Sequence, residues 1–197
     1  MTHALLLAAM IVIRSYNYAQ VPADDLARAR ATVDRTFQQA GISLQWINCL
    51  VPEDRRSSIV HRPSSCTELL RDGSEFVLRL MPTDHATVPG SQRNVAMGSS
   101  LIDHTSGTGT LTTVDPESVM RIAHDAGTDY STLLGRSIAH EIGHLLLGRS
   151  QHSRSGLMRA IWSQEEIRGI RPAGWRFSSA EAAQMRQGLA ARARAAN

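Results

Sequence analysis

The chain has 197 residues, 42% hydrophobic and 20% charged, an ordinary globular composition at a length that buries about two thirds of the unfolded surface. That size excludes a mini-domain that folds only around a metal or a set of disulfides. All 21 basic residues are Arg, set against 18 acidic ones for a net charge of +3. They are scattered along the chain, without the basic stripe that nucleic acid requires, so no nucleic-acid partner is expected. The local cluster Arg186, Arg192 and Arg194 reads as a solvated helix face.

No repeat, low-complexity tract or Gly/Ser linker divides the sequence, and one domain over residues 1–197 is expected. The longest apolar run, Ala4 to Ile13, falls far short of the roughly 20 residues of a membrane span. Met1-Thr2-His3 lacks a basic n-region, so the run reads as the approach to a first strand, Met10 to Tyr18, rather than as the remnant of a signal peptide. Pro22, Asp24 and Asp25 then open a helix that carries Leu26, Val33 and Phe37 at helical spacing and stops at Gly41.

Ile42, Leu44 and Trp46 alternate with polar residues as a half-buried strand ending near Cys49. A polar loop follows, Val51 to Asp72, then a strand from Glu75 to Leu80 stopped by Pro82. Shorter β-type stretches occur at Val95 to Ile102 and Thr108 to Val114. Asp115-Pro116-Glu117 opens a helix, with Asp as cap and Pro at the first helical position. Ser131 to Leu147 reads as a long helix closed by Gly148, and Ser178 to Glu181 is a capping-box start for a C-terminal helix. The fold class is α+β.

Cys49 and Cys66 have no metal-binding spacing. Bonded, they would close a loop of 16 residues, worth about 3 kcal/mol, and place the protein in an oxidising, extracytoplasmic compartment. Free, they would be two small buried side chains.

The long helix carries His140-Glu141-Ile142-Gly143-His144. Residues four apart on a helix differ by about 40° in azimuth, so both imidazoles face one metal ion, while Glu141 lies one residue round, within reach of a metal-bound water. Zn²⁺ lowers the pKa of such a water towards about 7, and the carboxylate can take its proton as general base. The pattern arises by chance in about one chain in a hundred of this composition, but two His and a Glu buried in a helix interior without partners would be costly. A catalytic zinc takes a third protein ligand and keeps one position open. His152, on the loop after Gly148, is the preferred candidate over Glu165 and Glu166, which read as the acidic first turn after Ser163. His3, His61, His85, His104 and His124 read as solvated, and Trp162 and Trp175 as packing residues, with the lining of a substrate pocket as the lesser alternative.

His140-Glu141-x-x-His144, Gly148, His152-Ser153 and Ser155-Gly156-Leu157-Met158 together resemble the metzincin clan of zinc metallopeptidases. The resemblance implies three histidine ligands (His140, His144 and His152), Glu141 as general base, and Met158 as the methionine of the Met-turn. It implies a small mixed twisted sheet with a long active-site helix and a C-terminal helix, and an edge strand, Val95 to Ile102 or Thr108 to Val114, that pairs with an extended peptide. The clan pattern HExxHxxGxxH has its glycine three and its last histidine six residues after the second histidine; here those distances are four and eight. The expected activity is peptide-bond hydrolysis by a monomer acting on a peptide or protein substrate. The rival expectation is a zinc-binding interaction module without catalysis.

Overall fold

A computed structural model describes residues 9–49, 64–70, 73–82, 96–169 and 174–195. The strand β1 (Ala9–Asn17) pairs in parallel with β2 (Ile42–Asn48) on one side and β3 (Glu75–Leu80) on the other. Parallel neighbours need a crossover, and between β1 and β2 the helix α1 (Ala23–Gln39) supplies it. β5 (Thr108–Val114) runs parallel to β3, and β4 (Gly98–Asp103) lies antiparallel to β5, giving the order β2-β1-β3-β5-β4. The result is a five-stranded mixed sheet with helices, as the class and the resemblance imply. Of the two stretches expected to supply an edge, Thr108 to Val114 is paired on both sides. The edge is β4, which begins at Gly98, while Val95 lies outside the described residues.

Because β1 is interior, its polar residues need partners. Arg14 is buried against Glu75 and also donates to the carbonyls of Glu68 (2.6 Å) and Leu69 (3.1 Å). Those carbonyls follow a 3-10 turn at Ser64–Cys66, where Cys66 is bonded to Cys49. The bonded alternative therefore holds; residues 50–63 of the loop it closes lie outside the described set.

Helix α2 (Pro116–Ala126) is capped by Asp115, which accepts from the N–H groups of Glu117 and Ser118. Helix α3 (Tyr130–Leu147) is capped by Asp129 and packs against α1, α2, β4 and β5. It is apolar on most sides, with Leu133, Leu134, Ile138, Ile142 and Leu145 inaccessible to solvent, as a helix enclosed by other elements must be. It ends at Gly148, whose φ of 63° is left-handed. A Cβ there would also stand 2.1 Å from the Gly107 carbonyl in the β4–β5 turn, so only glycine fits.

Helix α5 (Ser179–Ala195) packs against α3. Arg194 is exposed, as the solvated reading expects, but Arg186 donates to the Ala40 carbonyl and Arg192 to that of Leu145, each satisfying a carbonyl at a helix end. The acidic first turn expected after Ser163 belongs to a short helix, α4 (Gln164–Ile167), which has a complete capping box between Ser163 and Glu166. No helix among the described residues is long and apolar enough to cross a membrane.

Candidate metal centre

The buried stretch of α3 brings His140 and His144 to one face, and the return segment after Gly148 places His152 beside them. One ligand atom from each lies within 4.8 Å of the others. Glu165 and Glu166 are not in this group. Glu166 instead binds Arg159 and the Ser163 N–H, because the capping box turns it back onto its own helix. His104 and His124 are exposed, while His3, His61 and His85 lie outside the described residues.

Backbone carbonyls set the chemical state of the imidazoles. His140 Nδ1 lies 2.8 Å from the Leu157 carbonyl and His144 Nδ1 lies 2.8 Å from the Arg149 carbonyl. A carbonyl only accepts, so both Nδ1 atoms carry the proton and both Nε2 atoms present lone pairs. Those two Nε2 atoms are 3.0 Å apart. Two acceptors at that distance repel unless a cation lies between them, and nitrogens sharing a tetrahedral Zn²⁺ stand about 3.3 Å apart at Zn–N distances near 2.05 Å. Burial lowers the His140 pKa to about 4, against the opposing pull of the Leu157 carbonyl, and burial also lowers those of His144 and His152. Neutral imidazole is the ligating form, so donor set, tautomer and protonation all suit Zn²⁺.

Glu141 faces β4. Its side chain is buried, and its Oε2 lies 2.7 Å from the Ser100 hydroxyl, which also stands 2.8 Å from the Glu141 carbonyl. Burial raises the carboxyl pKa to about 7, with the Ser100 bond pulling the other way; a bound dication would lower it again. Gly98 makes room for this side chain, since a Cβ there would stand 2.8 Å from Glu141 Cγ. Gly98 and Ser100 share one face of β4 by the two-residue strand period.

Met158 is fully buried, its Sδ seated where a Cβ on Gly143 would come within 2.7 Å. It therefore packs on α3 next to the histidine face. Ser153 N–H donates to the Met158 carbonyl, closing the segment that carries His152. Ser153 Oγ bonds Glu181, a buried carboxylate that also accepts from the N–H and hydroxyl of Ser178. Trp162 meets the His140 ring edge-on at 5.6 Å, donates to the same Leu157 carbonyl, and touches Trp175 at 4.9 Å. Ser100 carries no sequence signal beyond its alternation with Gly98 on a strand, and that needs β4 to be placed over α3. Glu181 is legible only as the capping box with Ser178, and Trp162 and Trp175 only as packing residues or, second, a pocket wall.

No protein-family model matches the sequence, and no curated protein does. Among solved structures, archaemetzincin from Methanopyrus kandleri is similar with a TM-score of 0.54 and 15% identity, over 95% of this chain and 99% of that one. A zinc-dependent peptidase from Methanocorpusculum labreanum gives 0.52 and 14%, over 88% and 99%. Metalloproteinase-II from Bacteroides fragilis gives 0.52 and 14%, over 92% of this chain and 54% of that longer one. The chain thus has the fold of zinc metallopeptidases. At these identities the likeness speaks for the fold.

Proposed function

We propose that residues 1–197 form one catalytic domain, a metzincin-like zinc metallopeptidase that hydrolyses peptide bonds. Its metal is held by His140, His144 and His152, Glu141 is its general base, and Met158 is the methionine beneath the site. The observation that carries this reading is the pair of Nε2 lone pairs facing each other at 3.0 Å with His152 alongside. Three protein donors leave a tetrahedral ion one further position, which favours catalysis over a closed structural site.

Bound Zn²⁺ supplies Lewis-acid polarisation of a carbonyl oxygen and lowers the pKa of water to about 7. Glu141, one residue round the helix from His140, takes the proton of the attacking water and returns it to the leaving amine. Ser100 holds the Glu141 carboxylate against β4. The outer edge of β4, which pairs with no other strand among the described residues, offers backbone N–H and C=O groups to an extended peptide. The Cys49–Cys66 bond supports an extracytoplasmic location.

The test is metal content by plasma mass spectrometry on protein purified without metal affinity, with His152→Ala alongside. About one zinc per chain is expected, weakened in the variant. Glu141→Gln should keep zinc while peptide turnover falls by about 10³-fold. A zinc-free wild type that refuses added metal would remove the reading, and an active Glu141→Gln would remove the mechanism.

A further inference from the structure

Arg136 precedes His140 by four residues, as His140 precedes His144, so a guanidinium continues the stripe of α3 that carries the two helix histidines. Its Cζ lies 4.0 Å from the centroid of Trp175. Trp175 meets Trp162, and Trp162 meets His140, so one unbroken wall runs from the guanidinium to the metal centre. Among the described residues the Arg136 guanidinium has no hydrogen bond and no ion pair. The acid that attracts it, Asp129, does so from beyond ion-pair distance and caps α3 through the Thr132 N–H. Among the other described arginines, Arg14 ends on Glu75, Arg159 on Glu166, and Arg186 and Arg192 on helix carbonyls, while Arg149 has a buried Nε without a hydrogen-bond partner.

A guanidinium held over a ring keeps its in-plane N–H donors for an anion and matches a carboxylate in bidentate fashion. The ring beside it shields the pair from water, which strengthens the contact. We infer that Arg136, Trp175 and Trp162 form a subsite for a carboxylate of the substrate, from an Asp or Glu side chain or from the peptide's own C-terminus. The Cα atoms of Arg136 and His140 are about 6 Å apart along the helix, about two residues of extended peptide, so the carboxylate lies close to the scissile bond. This inference rests on the peptidase reading for its substrate. The Arg136 wall itself is independent of catalysis.

The zinc-loaded Glu141→Gln protein permits peptide binding to be read without cleavage. It is titrated calorimetrically with blocked hexapeptides in which one Glu moves through an Ala/Leu background, each with its Gln counterpart, and with the unblocked all-Ala/Leu peptide. At one position Glu should bind about tenfold tighter than Gln, or the free C-terminus about tenfold tighter than its amide, distinguishing the two sources of carboxylate. Adding Arg136→Gln should erase the preference, and Arg136→Lys should keep part of it. Equal binding of acid and amide throughout, no binding at all, or a preference that survives Arg136→Gln overturns the subsite. Wild-type digestion of an unfolded protein, read by mass spectrometry, separates the two readings. Cleavage without acid preference breaks only the subsite, whereas tight acid binding without cleavage breaks only the peptidase.

Discussion

Glu141 and Glu181 are both buried carboxylates, with 8% and 4% of their surface exposed, yet their surroundings assign them opposite work. Glu181, at the start of α5, accepts from Ser153 and twice from Ser178, so its oxygens are engaged in holding structure. Glu141, in the middle of α3, has the single hydroxyl of Ser100 against its carboxylate, and burial holds its proton affinity high. Burial with partners fixes a carboxylate, and burial with few leaves it reactive.

The contrast can be broken from either side. Glu181→Ala should produce the largest change in folding, a loss of about 3 kcal/mol in chemical denaturation, because three donors lose their acceptor. Since Ser153 follows His152 directly, zinc affinity in the same variant should fall roughly tenfold in a chelator competition. Glu141→Gln should leave the metal-free protein as stable as wild type to within about 1 kcal/mol, since no donor but Ser100 depends on the charge. Ser100→Ala should lower kcat about tenfold at unchanged zinc content, a steady-state measurement that separates positioning from metal loss.

Asp129 gives the exposed extreme and the smallest effect. The Thr132 bonds at the start of α3 hold its carboxyl below the usual range. A lowered folded pKa means stability that is present above the unfolded pKa and lost as pH falls through the folded one. In that acid range Asp129→Asn should flatten the pH dependence of stability by roughly half a kcal/mol, because solvent screens the group.

The strands, the helix boundaries and the two helix histidines were legible because each rests on local rules. β3 and β5 begin and end at the expected residues, and α3 starts one residue earlier than expected. The first turn of the short helix α4 was legible from Ser163 and its acidic residues, but its end was not, because the helix is only one turn long. The choice of edge strand was open because alternation does not say which neighbour a strand has, and only the pairing of β5 on both sides decides it. The Ser178 bonds of Glu181 lie within the capping box legible in the sequence, whereas its Ser153 bond, like those of Arg186 and Arg192, joins residues far apart along the chain, and no short window contains both members of such a pair. The same holds for Trp162 and Trp175, whose half-buried rings meet each other and His140 only in the folded chain.

The anchors that fix the two helix histidines are main-chain oxygens, those of Leu157 and Arg149. A side-chain acceptor can be deleted by a single codon change, whereas a carbonyl persists whatever residue carries it. The lone-pair state of both imidazoles is therefore encoded in the path of the return segment rather than in its composition. Outside His152 that segment can change in sequence without moving these two anchors, while a deletion of even one residue between Arg149 and Leu157 would shift one anchor against the other, because Arg149 stays tied to the end of α3. The two anchors are robust to substitution and fragile to changes in length.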